Sequence, residues 1–184
     1  MYAIRRKYVK QWEHIKPENQ YLVIVTKGGK PVPYIKSERI SVIEEEVMYW
    51  RKANHIHQWF VDNVQDGNDD CGMYSVSKEK LLELFDLCET IMASAECDDK
   101  AGDALATTES NEGSAEAPSQ LTLKDDAIAR QLLPRQTGFF FGSQAYDEDY
   151  MFDIRETRDW LVRLFDEAKL DPWALDGISY HSSW

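Results

Sequence analysis

SVIEEEVMYWRKANHIHQWFVDNV, residues 41–64, is the stretch on which the fold turns. Its apolar residues recur at helical spacing. Ile43, Val47, Trp50, Ala53, Phe60, Val61 and Val64 fall on one broad face of a helical wheel. Ser37 or Ser41 is placed to cap its start. The spacing therefore predicts one long helix ending near Val64. At 100° per residue, Glu46, Trp50, Asn54 and His57 share the arc of the core residues. A buried acid, amide and imidazole must be paired with one another or open into a pocket. The first case is a hydrogen-bonded cluster pinning the helix. The second is a ligand site at Glu46, Trp50, Asn54 and His57.

Working outward, Met1–Trp12 alternates with period two and predicts a strand. Tyr21–Thr26 is β-branched and aromatic and predicts a second one. Lys27-Gly28-Gly29-Lys30 is a turn. Pro31 and Pro33 confine their own segment to an edge strand or an extended arm. Beyond the central stretch, Met73–Val76 suits a short strand and Ser77 caps a helix over about 78–95. A short helix over about 124–133 stops at Pro134. Gly138–Gly142 reads as a strand, 147–170 as a long helix and 178–184 as a closing strand. The order predicts an α+β domain: a small mixed or antiparallel sheet against two or three long helices.

Residues 96–120 break the pattern. They hold seven acidic residues, one lysine and, as large aliphatics, only Leu105. Such a segment buries too little apolar surface to offset its ordering entropy, and it is expected to be a disordered acidic insertion. Residues 1–95 and 121–184 then form the two parts of one domain.

The chain has 184 residues and a net charge of −12, unevenly spread. Residues 1–52 hold 11 Lys/Arg against 6 Asp/Glu, and the remainder holds 10 against 27. The basic part, with Arg5, Arg6, Lys7, Lys10, Lys27, Lys30 and Trp12, could grip a nucleotide or a single strand. The overall charge repels nucleic acid and allows imitation of it instead. No apolar run reaches membrane-spanning length, and no secretory signal is expected. Three cysteines without CxxC spacing argue against a disulfide framework or a thiolate zinc site, and for a cytoplasmic home.

Two weaker motifs stand beside plainer explanations. Asp66–Gly72 begins like a calcium loop, but Cys71 stands where glycine is needed and Ser77 where glutamate is needed. A polar turn explains it as well. Asp147, Asp149 and Asp153 could hold magnesium, or could simply favour the positive end of a helix dipole. No Ser/His/Asp or Cys/His arrangement emerges, so no catalytic residue, metal ligand or cofactor is assigned.

Several segments together resemble a family of small uncharacterised proteins encoded by bacteriophages and prophages. They are Thr26–Val32, Glu45-Glu46-Val47, Tyr49–Asn54, Ile56-His57, Trp59-Phe60-Val61, Asp69-Asp70-Cys71, Gly138–Ser143, Tyr146-Asp147-Glu148 and Ser182-Ser183-Trp184. The resemblance spans nearly the whole chain outside 96–120. It implies a context, the infected or lysogenic bacterial cytoplasm, and no mechanism. The expectation is a non-enzymatic accessory binding protein that counters host defence. It would sequester a nucleotide-like small molecule or block a host protein, using Glu46, Trp50, Asn54, His57, Lys27 and Lys30. A homo-oligomer is a further expectation. The alternatives are a metal-dependent nucleotide hydrolase or transferase, with Glu46 or His57 as base, and an acidic DNA-mimicking inhibitor.

Overall fold

The computed structural model describes residues 1–10, 12–97, 121–123, 125–137 and 144–183. Strand β1 spans Tyr2–Tyr8, as its alternation requires. A hairpin of β2 (Thr26–Lys27) and β3 (Lys30–Pro31) comes next. Its turn rests on Gly28 and Gly29, both at positive φ (58° and 76°).

The central stretch departs from its expectation. Ser37–Arg39 is a single 3-10 turn, Val42–Tyr49 is strand β4, and only Asn54–Asn63 is helix, α1. The long helix is thus a strand and a helix joined at Trp50–Ala53. The cause is tertiary. β4 pairs antiparallel with β1, setting Arg5 opposite Glu45 and Arg6 opposite Glu44, and both pairs close ion pairs. Cross-strand partners of opposite charge stabilise a register that helical periodicity cannot foresee.

Strand β5 (Met73–Ser75) leads into α2 (Lys78–Ser94). The Ser77 side chain accepts from the Lys80 N–H at 3.3 Å. Strands β6 (Glu96–Cys97) and β7 (Leu121–Thr122) pair with each other. The acidic excursion therefore starts two residues later than its composition suggests, and its two ends meet in a stem. Residues 98–120, and with them the expected disorder, lie outside the described residues. So does the strand expected at 138–142.

Helix α3 covers Ala127–Leu132 and α4 covers Glu148–Leu170, capped by Asp147, which accepts from the Tyr150 N–H. Strand β8 (Ile178–His181) closes the chain. The main sheet is antiparallel throughout, in the order β4-β1-β8-β5. Strands from both sides of the excursion interleave in it. Gly177 makes the entry to β8 possible. It lies at φ +73°, and a Cβ there would collide with the Arg6 carbonyl, while the Arg6 N–H donates to the Gly177 carbonyl at 3.0 Å.

The core lies between this sheet and the helices. Phe60 stacks on Tyr180 with centroids 4.0 Å apart, and Trp50 meets Trp160 edge-on at 5.3 Å. Leu81, Leu84 and Ile91 of α2 and Ile154, Leu161 and Leu164 of α4 belong to the same buried cluster. The second strand expected over Tyr21–Thr26 does not form beyond Thr26. Its residues lie instead on a long excursion between β1 and β4. No helix among the described residues is long and apolar enough to cross a membrane.

Candidate functional site

Splitting the central stretch separates its four polar candidates. Glu46 sits mid-strand on β4 and is exposed. Trp50 is buried in the link, and its indole N–H donates to the Thr157 hydroxyl on α4 at 2.8 Å. Asn54 opens α1. Its amide nitrogen donates to the Gln136 carbonyl at 3.0 Å and its oxygen accepts from the Gln136 N–H at 3.1 Å. His57 lies within 2.6 Å of the Tyr180 hydroxyl through Nδ1 and 3.3 Å of Asp69 through Nε2. Burial lowers its pKa, while Asp69 opposes that shift. Three of the four are therefore satisfied within the protein, each by a different partner.

A cleft of about 570 Å³ opens between the β4–α1 link and α4. Tyr49, Trp50, Arg51 and Lys52 form one wall, and Asp149, Phe152, Asp153 and Glu156 the other, with Arg135 between. Glu46 does not line it. Nor do Lys27 and Lys30, which sit on the exposed β2–β3 hairpin. The backbone turns sharply at the cleft. Lys52 holds φ +62°, a conformation costly for a non-glycine residue and concentrated at functional sites.

The floor carries polar groups without partners. The Arg135 side chain is 5% exposed. Its Nε donates to the Ala145 carbonyl, and its Nη2 is buried with no hydrogen-bond partner among the described residues. Nη2 stands 3.6 Å from Asp147 and Nη1 stands 4.0 Å from Asp153. Both exceed hydrogen-bonding distance. Beneath lies His55, fully enclosed, with neither ring nitrogen hydrogen-bonded to a described residue. Desolvation, then the Arg135 charge, holds its pKa well below the ordinary value, so the ring is neutral. The Asp153 carboxylate, 3.9 Å from Nε2, therefore makes no ion pair with it. Burial pushes Asp153 up to about 7 against the pull of Arg135. Arg135 and Asp153, a nearly buried arginine and a carboxyl with a raised pKa, thus line one concavity, and the neutral His55 is enclosed behind Asp153. Perturbed groups of this kind gather where ligands bind.

The magnesium arrangement of Asp147, Asp149 and Asp153 is not built. Arg135 reaches toward Asp147 and Asp153, and among the described residues no three His, Cys, Asp or Glu groups are placed to hold a metal. The calcium-like loop is a turn. Asp66 and Cys71 take positive φ, Asp70 accepts from the Gly72 N–H and the Tyr74 hydroxyl, and Asp69 serves His57.

Neither protein-family models, curated proteins nor solved structures give a match to this chain. The site is therefore read from its own geometry.

Sequence pattern alone misses the nearness of Arg135 to His55. Arg135 comes directly after a helix-ending proline, in a segment without periodicity. A signal for Asp153 does exist. It shares a helical face with Tyr150 and Thr157, both buried, so a carboxylate stands in an otherwise enclosed stripe.

Proposed function

We propose that this protein is a non-enzymatic binding protein of the phage accessory type, holding a nucleotide-like anion in the Arg135 cleft. The Arg135 Nη2 carries this reading: it is buried, 3.6 Å from Asp147, and makes no hydrogen bond to any described residue. A buried guanidinium nitrogen without an acceptor is costly, and a phosphate or carboxylate oxygen would satisfy it. Arg51 and Lys52 add positive charge at the rim, and the exposed rings of Tyr49 and Phe152 offer flat apolar surface to a base. Asn54, by gripping the backbone of Gln136 with both ends of its amide, fixes the segment that presents Arg135. Sequestration of a nucleotide signal, and so a role against host defence, is the use such a site would serve.

The test is calorimetric titration of the full chain with nucleoside mono-, di- and triphosphates and cyclic nucleotides. Chromatography of the recovered ligand completes it. The expected result is saturable binding of unchanged nucleotide, weakened by Arg135→Ala. Absence of heat with every compound at millimolar concentration overturns the reading.

One observation favours a second reading, a nucleotide hydrolase or transferase. Asp153, at about 7, is poised for proton transfer near neutral pH, and the neutral His55 lies behind it. The general base would then be Asp153, in place of Glu46 or His57. Consumption of the nucleotide in the same assay selects this reading.

A further inference from the structure

Between Val9 and Trp50, which are 3% and 2% exposed, no described residue is buried. The excursion from β1 to β4 is far longer than the loops that usually join neighbouring strands, and such loops are functional or await a partner. This one is not polar. Tyr21-Leu22-Val23-Ile24-Val25 has the composition of a buried strand, yet Leu22 is 74% and Ile24 69% exposed. Within the Leu22–Ile24 backbone, only the Val23 N–H finds a partner among the described residues, the Ser37 hydroxyl at 3.1 Å. Leu22–Ile24, the middle of a strand-forming sequence, is held out with most of its backbone unpaired among the described residues.

Among the described residues, no strand pairs with the outer edge of the main sheet at β4 either. β4 is the outer strand, and its middle is Glu44-Glu45-Glu46. Glutamates along an edge oppose its pairing with a copy of itself, because like charges would face each other. Glu44 and Glu45 are held by Arg6 and Arg5, so it is the net charge of the body that favours an incoming strand flanked by cations. Residues 10–41 carry six lysine and arginine residues against three glutamates. With −12 on the whole chain, the rest carries −15. Arm and body are thus opposite in charge, and every copy owns one of each.

We infer that two copies of this chain pair reciprocally, the Tyr21–Thr26 segment of each adding as a strand to the β4 edge of the other. The pairing satisfies both edges by β-augmentation and covers Leu22 and Ile24. It closes with two-fold symmetry, so it ends at a dimer. A basic, aromatic arm for single-stranded nucleic acid is the rival use of the same residues. The aliphatic run and the acidic body weigh against it.

The experiment is sedimentation velocity of the full chain across about 1 to 100 µM, in low and high salt. A species of twice the 21.4 kDa chain mass, loosened by salt, is expected. Leu22→Lys with Ile24→Lys, and separately Ile24→Pro, should weaken self-association by at least about tenfold. Both sites are exposed, so the unfolding midpoint of the monomer should stay put. A wild-type chain that remains monomeric throughout overturns the inference, whether or not it binds an oligonucleotide. So does a doubly substituted chain that dimerises as before. Should a variant unfold, amide exchange of wild-type residues 43–48 decides. Protection that rises with concentration supports the pairing, and protection independent of concentration overturns it.

Discussion

His55 and His57 stand two residues apart on α1, both buried, and they differ in almost everything else. His57 has a partner on each ring nitrogen, Tyr180 and Asp69. His55 has none among the described residues, and it feels the charge of Arg135, whose Nη2 likewise makes no hydrogen bond to a described residue. Buried polar groups in native proteins are nearly always paired. One histidine obeys that rule and ties α1 to β8. The other makes no hydrogen bond to a described residue, like the buried side chains of Gln65 and Trp160 elsewhere, but it alone lies behind Asp153 at the wall of the Arg135 cleft. The contrast separates a polar cluster that holds the fold from one kept open for something else.

The sharpest way to break this contrast is to replace each ring by phenylalanine. His57→Phe should cost about 2–4 kcal/mol in urea unfolding, because it strands the Tyr180 hydroxyl in the core. His55→Phe should change stability by less than about 1 kcal/mol, since no hydrogen bond is lost. Equal losses at both sites would dissolve the distinction.

Next in size is binding. Arg135→Ala should weaken nucleotide affinity by about 10- to 100-fold in calorimetry, the effect of one charge-assisted hydrogen bond. His57→Phe, where it remains folded, should leave that affinity within about threefold of wild type.

Acidity then separates the two clusters further. The folded-state pKa of Asp153, about 7, lies above its unfolded value, so its protonation stabilises the fold at low pH. That contribution is fully present below about pH 4 and is lost as pH rises through 7. His55 acts oppositely. Its depressed pKa gives stability present above about 6.5 and lost as pH falls below it. Between about pH 4 and 6.5 the two effects oppose each other. Asp153→Asn should therefore steepen the loss of stability on acidification in a urea series. The same protonation removes a negative charge beside Arg135. Nucleotide affinity in wild type should thus rise from pH 8 to pH 6 by a few fold, on the order of the change in local charge. The Asn variant should lose that rise.

How far the sequence foretells this differs by region. The α+β character, β1, the glycine turn and the cap at Ser77 are legible because local rules set them, whereas the sequence leaves a mixed or an antiparallel sheet open. The 41–64 stretch is not. Val42–Tyr49 has helical spacing, but β1 supplies Arg5 and Arg6 across a ladder that local pattern does not contain. That one difference accounts for the four-residue site, since Glu46, Trp50, Asn54 and His57 share a face only on a continuous helix. The opposite error arises at Tyr21–Thr26, where strand propensity is real and no partner strand for Tyr21–Val25 exists among the described residues. The Arg135 cleft is hidden for a third reason. His55 and Asp153 come from helices far apart in sequence, and only packing brings them within 3.9 Å.

The short stem made by β6 and β7 has a practical meaning. Because Cys97 sits opposite Leu121, the chain leaves the body and returns to it at one point. The entropy of closing such an excursion grows only with the logarithm of its length, about 0.6 kcal/mol per doubling. The segment between can therefore be shortened to a tight turn or exchanged for a reporter domain at little thermodynamic cost. The protein carries a built-in attachment point for a fluorescent or affinity label. The β6–β7 stem itself gives no strand to the main sheet and no residue to the lining of the Arg135 cleft, so a label joined at it is expected to leave both unaltered.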